Sequence, residues 1–239
     1  MSQTFTPLSK LPHFDPLSMP VLGVDDHLPP VPQERLQAQS LRQRFLRPPE
    51  WTPEIVRERS FAQREPALAA VLVGIVMRDE PTLLLTQRTA HLSTHSGQVA
   101  FPGGKVDDSD RDVVATALRE SQEEVGLDPQ QVQVLGTLSE YVTGTAFVVT
   151  PVVGLIDVRH TIEPNPNEVA SVFEVPLAFL MNPAYHRRHA LEAEGRRREW
   201  FSMPYDDQGE TRFIWGATAG MIRNLYRFLM AGDGSTKTG

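Results

Sequence analysis

A mixed α/β sandwich is the fold class this sequence predicts. Two β-rich runs, ALAAVLVGIVM (67–77) and TAFVVTPVVGLIDV (145–158), read as long strands. A segment of helical period, about 112–125, stands between them. A second, WGATAGMIRNLYRFLMAG, closes the chain with Ala219, Ile222, Leu225, Tyr226 and Leu229 at helical spacing. Strands interspersed with helices, some strands close enough in sequence to pair antiparallel, give layers of both kinds.

The elements follow in order. Residues 1–66 carry eleven of the 20 prolines, so 1–30 are expected to be a loose, proline-rich arm. Residues 31–66 are expected as a helical lead-in packed on the domain, with Leu36, Leu41 and Phe45 on one side of QERLQAQSLRQRFL. The main domain is set at 67–232, with a disordered tail at 233–239. TLLLTQR follows the first strand across the turn DEPT. SGQVAFPGGKVDD reads as a short strand and a glycine loop, and VQVLGTLSEYV as a further strand. A helical turn is expected at 176–182, a hairpin turning near Gly195, and a last short strand at RFIWG.

The totals exclude some classes of function. A net charge of −7 argues against a nucleic-acid partner, because phosphate contacts need a basic surface. No cysteine is present, which removes disulfides and thiolate metal sites and fits a reducing, cytoplasmic setting. The longest apolar run, 67–77, is too short for a membrane span of about 20 residues. Nothing at the start resembles a secretory signal. A homodimer is left open.

The stretch ALRESQEEVGL, 117–127, poses the chemical question. At roughly 100° per residue, Val114, Ala117, Leu118, Ser121 and Val125 share the expected core face, and Glu120, Glu123 and Glu124 share another. Like charges at these spacings repel, and Gly126 places the trio in the last turns, where the helix dipole favours cations. On spacing alone, a solvated acidic face is the simpler reading. The alternative is a hard divalent cation, since Mg²⁺ takes one or two carboxylates together with water and phosphate oxygens.

The context favours the cation. The run FPGG…RESQEEVGL, from Phe101 to Leu127, resembles the Nudix box through Gly104, Arg119, Glu120, Glu123, Glu124, Gly126 and Leu127. Asp110 stands where the first box glutamate is expected, with one extra residue before Arg119, and Ser121 takes a usually apolar position. LLTQRTAHLSTHSGQVAFPGG, 84–104, is similar to the motif preceding the box in the coenzyme A diphosphatase branch, as are TPVVGLI and NEVASVFEVPL.

The resemblance implies a Nudix-type α/β/α sandwich with a mixed sheet. It also implies Mg²⁺- or Mn²⁺-dependent hydrolysis of a small nucleoside diphosphate derivative. For coenzyme A the products would be 3′,5′-ADP and 4′-phosphopantetheine. ADP-ribose, NADH or a dinucleoside polyphosphate is the alternative substrate, and a non-catalytic nucleotide sensor is the alternative of another class. Carried over to this chain, Glu120 and Glu124 are the expected metal ligands with Glu123 third, and Arg119 orients them. Gly103 and Gly104 hold the catalytic helix close, and Arg88 and His95 face the substrate; the general base is either a box glutamate or one from a distant loop, for which Glu168 is the candidate ahead of Glu174.

Other signals point elsewhere. PGGK lacks the spacing and the Ser/Thr of a phosphate-binding P-loop, and HLSTH lacks the glutamate of a zinc-protease motif. Arg187, Arg188 and Arg196–Arg198 read as a solvated basic hairpin, with a contact to a 3′-phosphate as the alternative. Phe213 and Trp215 read as packing residues, with stacking on a base as the alternative.

Overall fold

The structure is a computed structural model and describes residues 14–58, 65–89, 97–193 and 195–232. Along the chain the strands are β1 (Gly23–Val24), β2 (Ala67–Val76), β3 (Thr82–Arg88), β4 (Val99–Ala100), β5 (Gly103–Lys105) and β6 (Val132–Thr137). They continue with β7 (Tyr141–Val142), β8 (Phe147–Ile156), β9 (Val169–Pro176), β10 (Arg187–Ala193), β11 (Arg196–Asp207) and β12 (Glu210–Trp215). The α-helices are α1 (Ala38–Leu46), α2 (Val113–Val125), α3 (Leu177–Leu180) and α4 (Gly216–Met230).

The main sheet is mixed. β2 and β8 run parallel in register from Ala67↔Phe147 to Val76↔Ile156. Antiparallel partners surround them: β6 and β7 on β8, β5 on β2, and β4 and β9 on β3. A central strand is covered on both faces, which is why β2 reads as a continuous apolar run rather than an alternating one. Ala70, Leu72 and Val76 pack with Ala117 and Val125 of α2 on one face. Val73 and Ile75 pack on the other with Leu41 of α1 and Ile222 and Leu225 of α4. The expected α/β/α sandwich is therefore present, with an additional feature. A second, antiparallel sheet in the order β1-β10-β11-β12 contributes Phe201 and Met203 to the second layer.

Two expectations need correction. The segment SGQVAFPGGKVDD was to end in a glycine loop, yet Gly103 and Gly104 lie in β5, paired with Val71 and Ala70. The arm at 1–30 was to be loose, yet from Phe14 onward it is laid against the second sheet. Phe14 packs edge-on to Trp200 and near Trp215, and β1 pairs with β10. Asp25, 2% exposed, meets Arg188 at 2.7 Å and Arg223 at 2.9 Å. Composition suggested disorder, but the buried Arg223 requires a counter-charge, which among the described residues this segment and Glu54 bring to it. Residues 1–13 and the tail 233–239 lie outside the described residues.

Part of the basic hairpin is engaged within the chain. Arg188 is engaged by Asp25, Arg197 pairs with Glu199 at 2.7 Å, and Arg198 is buried. Among the described residues no helix is long and apolar enough to cross a membrane.

Candidate active site

The catalytic helix is fixed at both ends by its own sequence. Asp112 caps α2 by accepting from the Ala115 N–H at 2.8 Å. Gly126 ends it in the left-handed conformation (φ 69°), its N–H returning to the carbonyl of Gln122. Between the caps the helix is rolled from its expected orientation. Thr116, Ala117, Ser121, Glu124 and Val125 are buried, whereas Val114 and Leu118 pack only at the rim. Ser121 occupies its apolar position by donating to the Ala117 carbonyl at 2.6 Å.

The roll takes Glu124 out of the acidic face and into the protein, leaving it 3% exposed. There its Oε2 accepts from the Gly103 N–H at 3.1 Å and its Oε1 from Arg88 Nη1 at 3.3 Å. Burial raises the Glu124 carboxyl to about 7 against these two donors, and the charges of Glu120 and Glu168 push it the same way. Glu120 is raised as well, first by burial, with Arg119 opposing and Glu123 and Glu168 adding to the rise. Three acidic groups thus share one region, and Arg88 is the donor that reaches in from β3. Arg88 Nε is itself buried and finds no acceptor among the described residues.

Glycine is required on β5 for steric reasons. A Cβ on Gly104 would overlap the Glu120 carboxylate, and one on Gly103 would overlap the Ala70 carbonyl and the Val71 backbone of β2.

Arg119 organises the outer side. It grips Asp110 with two donors, Nε at 2.9 Å and Nη2 at 2.8 Å, while Nη1 reaches Glu120 at 3.0 Å and Glu123 at 3.2 Å. The Arg119 fork holds the Asp110 carboxyl well below the usual carboxylate range. The sequence matched Asp110 to the first box glutamate but did not foresee its pairing with Arg119. Lying nine positions before Arg119 and outside the helix, it falls in no helical pattern.

Glu123, expected as the third metal ligand, is not gathered with the others. Its side chain is 58% exposed and turned to Arg119. Glu168 lies on the loop before β9, half-buried, with its charge felt by both Glu120 and Glu124. Glu174, the second choice for a base, is occupied at the opposite end of β3 by Arg78 at 2.6 Å and by Thr82. His95 falls outside the described residues.

Among the described residues no three His, Asp or Glu side chains are gathered into a ready-made metal cage. The donor set fits a hard cation nonetheless. Glu120 and Glu124 are two oxygen donors whose shared negative charge is only partly offset, and Mg²⁺ needs no more from a protein when water and phosphate complete its shell.

Comparison with known proteins agrees with the geometry. Residues 68–201 match the model of the NUDIX domain. Over 174 residues the chain is 47% identical to the proteins named uncharacterized Nudix hydrolase NudL of Escherichia coli O157:H7 (strain EC4115) and Shigella boydii serotype 18. The match covers 72% of this chain and 86% of each relative. Among solved structures, a Caenorhabditis elegans Ap4A hydrolase binary complex aligns at a TM-score of 0.40 and 22% identity, over 49% of this chain and 85% of that one. With the box, the site and the matched span in agreement, the chain belongs to the Nudix family and is a hydrolase of phosphoric anhydride bonds.

Proposed function

We propose that the protein hydrolyses the diphosphate bond of coenzyme A or its derivatives, giving 3′,5′-ADP and 4′-phosphopantetheine, with Mg²⁺ or Mn²⁺ held by Glu120 and Glu124. One observation carries this reading: the motif upstream of the box and the box itself meet at one carboxylate. Arg88 ends β3, Gly103 lies on β5, and both donate to Glu124. Two residues of the stretch that resembles the coenzyme A branch, Arg88 and Gly103, thus donate to a carboxylate of the box, which supports this reading.

A bound divalent ion supplies charge neutralisation on the diphosphate and a more acidic water. The protein's own residues account for the rest. Arg119 holds Glu120 from outside, and Asp110 holds Arg119. Arg88, whose buried Nε has no acceptor among the described residues, would have a donor to offer a phosphate oxygen. Glu168 accepts the proton of the attacking water as the bridging P–O bond breaks.

The test is a substrate panel. With Mg²⁺ or Mn²⁺ present, kcat/KM is measured for coenzyme A, NADH, ADP-ribose and Ap4A. Coenzyme A is expected to be the best substrate, and finding it the slowest would refute the assignment.

A further inference from the structure

The loop carrying Glu168 is not built like a mobile lid. Its backbone is fastened to the end of α2, where Glu163 N–H donates to the Val125 carbonyl at 2.8 Å and Asn165 N–H to the Glu124 carbonyl at 2.9 Å. These bonds satisfy two carbonyls that a helix C-terminus leaves without intrahelical partners. Gly126 permits the approach, since a Cβ there would lie 3.0 Å from the backbone of Glu163.

Asn165 then turns the chain. Its carbonyl accepts from Glu168 N–H at 3.0 Å and Val169 N–H at 2.9 Å, and its Oδ1 accepts from Asn167 N–H at 3.1 Å. On the far side, the Glu168 carbonyl accepts from Thr89 N–H at 3.0 Å, one residue beyond Arg88. Pro164 and Pro166 flank Asn165 in the sequence EPNPNE and confine both Glu163 and Asn165 to extended backbone.

We infer that Asn165 is a positioning residue, which sets Glu168 at a fixed place relative to the α2 carboxylates before substrate arrives. The link runs from the main chain of Glu124, through Asn165, to the main chain of Glu168. This rests on Glu168 being the general base, and the experiment separates the two statements.

Turnover of coenzyme A with Mg²⁺ is measured for Asn165→Ala, Asn165→Ser, Pro166→Gly and Glu168→Gln, and for Asn165→Ala combined with Glu168→Gln. Asn165→Ala removes the Oδ1 acceptor and is expected to lower kcat on the order of tenfold, with KM changed less than about twofold. Asn165→Ser, whose hydroxyl can accept the same N–H, is expected to recover most of that loss. In the Glu168→Gln background Asn165→Ala is expected to add nothing, because both changes act on one group. Pro166→Gly loosens the turn without touching any side chain of the site. It should lower kcat in the same way, which keeps the test open if Asn165→Ala does not fold.

An undiminished effect of Asn165→Ala in the Glu168→Gln background overturns the inference. So does wild-type kcat in both Pro166→Gly and Asn165→Ala. If Glu168→Gln alone turns over like the wild type, the assignment of the base has failed, and the positioning role falls with it.

Discussion

The carboxylate of Glu120 rests directly over the Cα of Gly104, in the space that any side chain at that position would fill. The backbone of β5 and the acidic face of α2 can approach this closely only while residue 104 has no Cβ.

Gly104→Ala should therefore leave the fold in place but push Glu120 aside. An error of about 1 Å in a catalytic group can cost about 10²-fold. A drop of that order in kcat/KM, with a modest fall in melting temperature, is expected from steady-state kinetics and thermal melts. Activity within twofold of wild type would show that the contact is unimportant.

Glu124 makes metal uptake dependent on pH. In the metal-free protein its carboxyl is raised to about 7, and a ligand must lose its proton to bind a cation. Affinity should rise with pH through that region, and calorimetry in buffers of different ionisation enthalpy should detect proton release near pH 6.

The same group affects the stability of the metal-free protein. Its folded value lies above the unfolded one of about 4.5, so the native state binds the extra proton. That stabilisation is complete below about pH 4.5 and is lost as pH rises through about 7, amounting to about 3 kcal/mol. Urea unfolding in chelator at pH 5 and 8 should show the stability of wild type declining relative to Glu124→Gln. A pH-independent difference between the two would contradict this.

His186 acts in the opposite sense. It is fully buried, with Nε2 on the Leu180 carbonyl at 2.7 Å and Nδ1 facing Arg223 Nη1 at 3.0 Å, so only the neutral ring fits. Burial first, and Arg223 after it, lower it to about 4. The unfolded chain takes up a proton that the folded one refuses, so stability should fall as pH drops from about 6.5 to 4, by about 3 kcal/mol. His186→Gln should flatten that slope in pH-dependent unfolding.

Asp25→Ala should be costly although it lies far from the box in sequence. Arg223, 1% exposed, would keep Glu54 as its one close acidic partner among the described residues, and breaking a buried ion pair typically costs about 3–5 kcal/mol. Denaturant unfolding measures the loss. A change below about 1 kcal/mol would mean that the N-terminal segment contributes little to the fold.

Much of this was legible in the chain. The long apolar runs gave β2 and β8, and Asp112 and Gly126 bounded α2, because these are local signals read within a few residues; the chemistry of Arg119, Glu120, Glu123 and Glu124 was marked by the resemblance of the whole run 101–127 to the box, not by their spacing. The roll of α2 was not legible. Helical period put Glu124 among exposed acids, while Gly103 and Arg88, at 21 and 36 residues' distance, draw it inward.

The sequence by itself determined which residues carry charge, roughly where α2 and α4 start and stop, and which family the site belongs to. Only the tertiary structure decided which glutamate is buried, that Asp110 holds Arg119, that Glu123 faces outward, and that a proline-rich arm is pinned through Asp25. The physical reason is common to three of the four. Glu124, Asp110 and Asp25 each pair a charge with a partner distant in the chain or off the helical period, and that choice is fixed by which burial arrangement leaves the fewest unpaired polar groups. Glu123 turns outward once α2 is rolled, to Arg119 one helical turn before it.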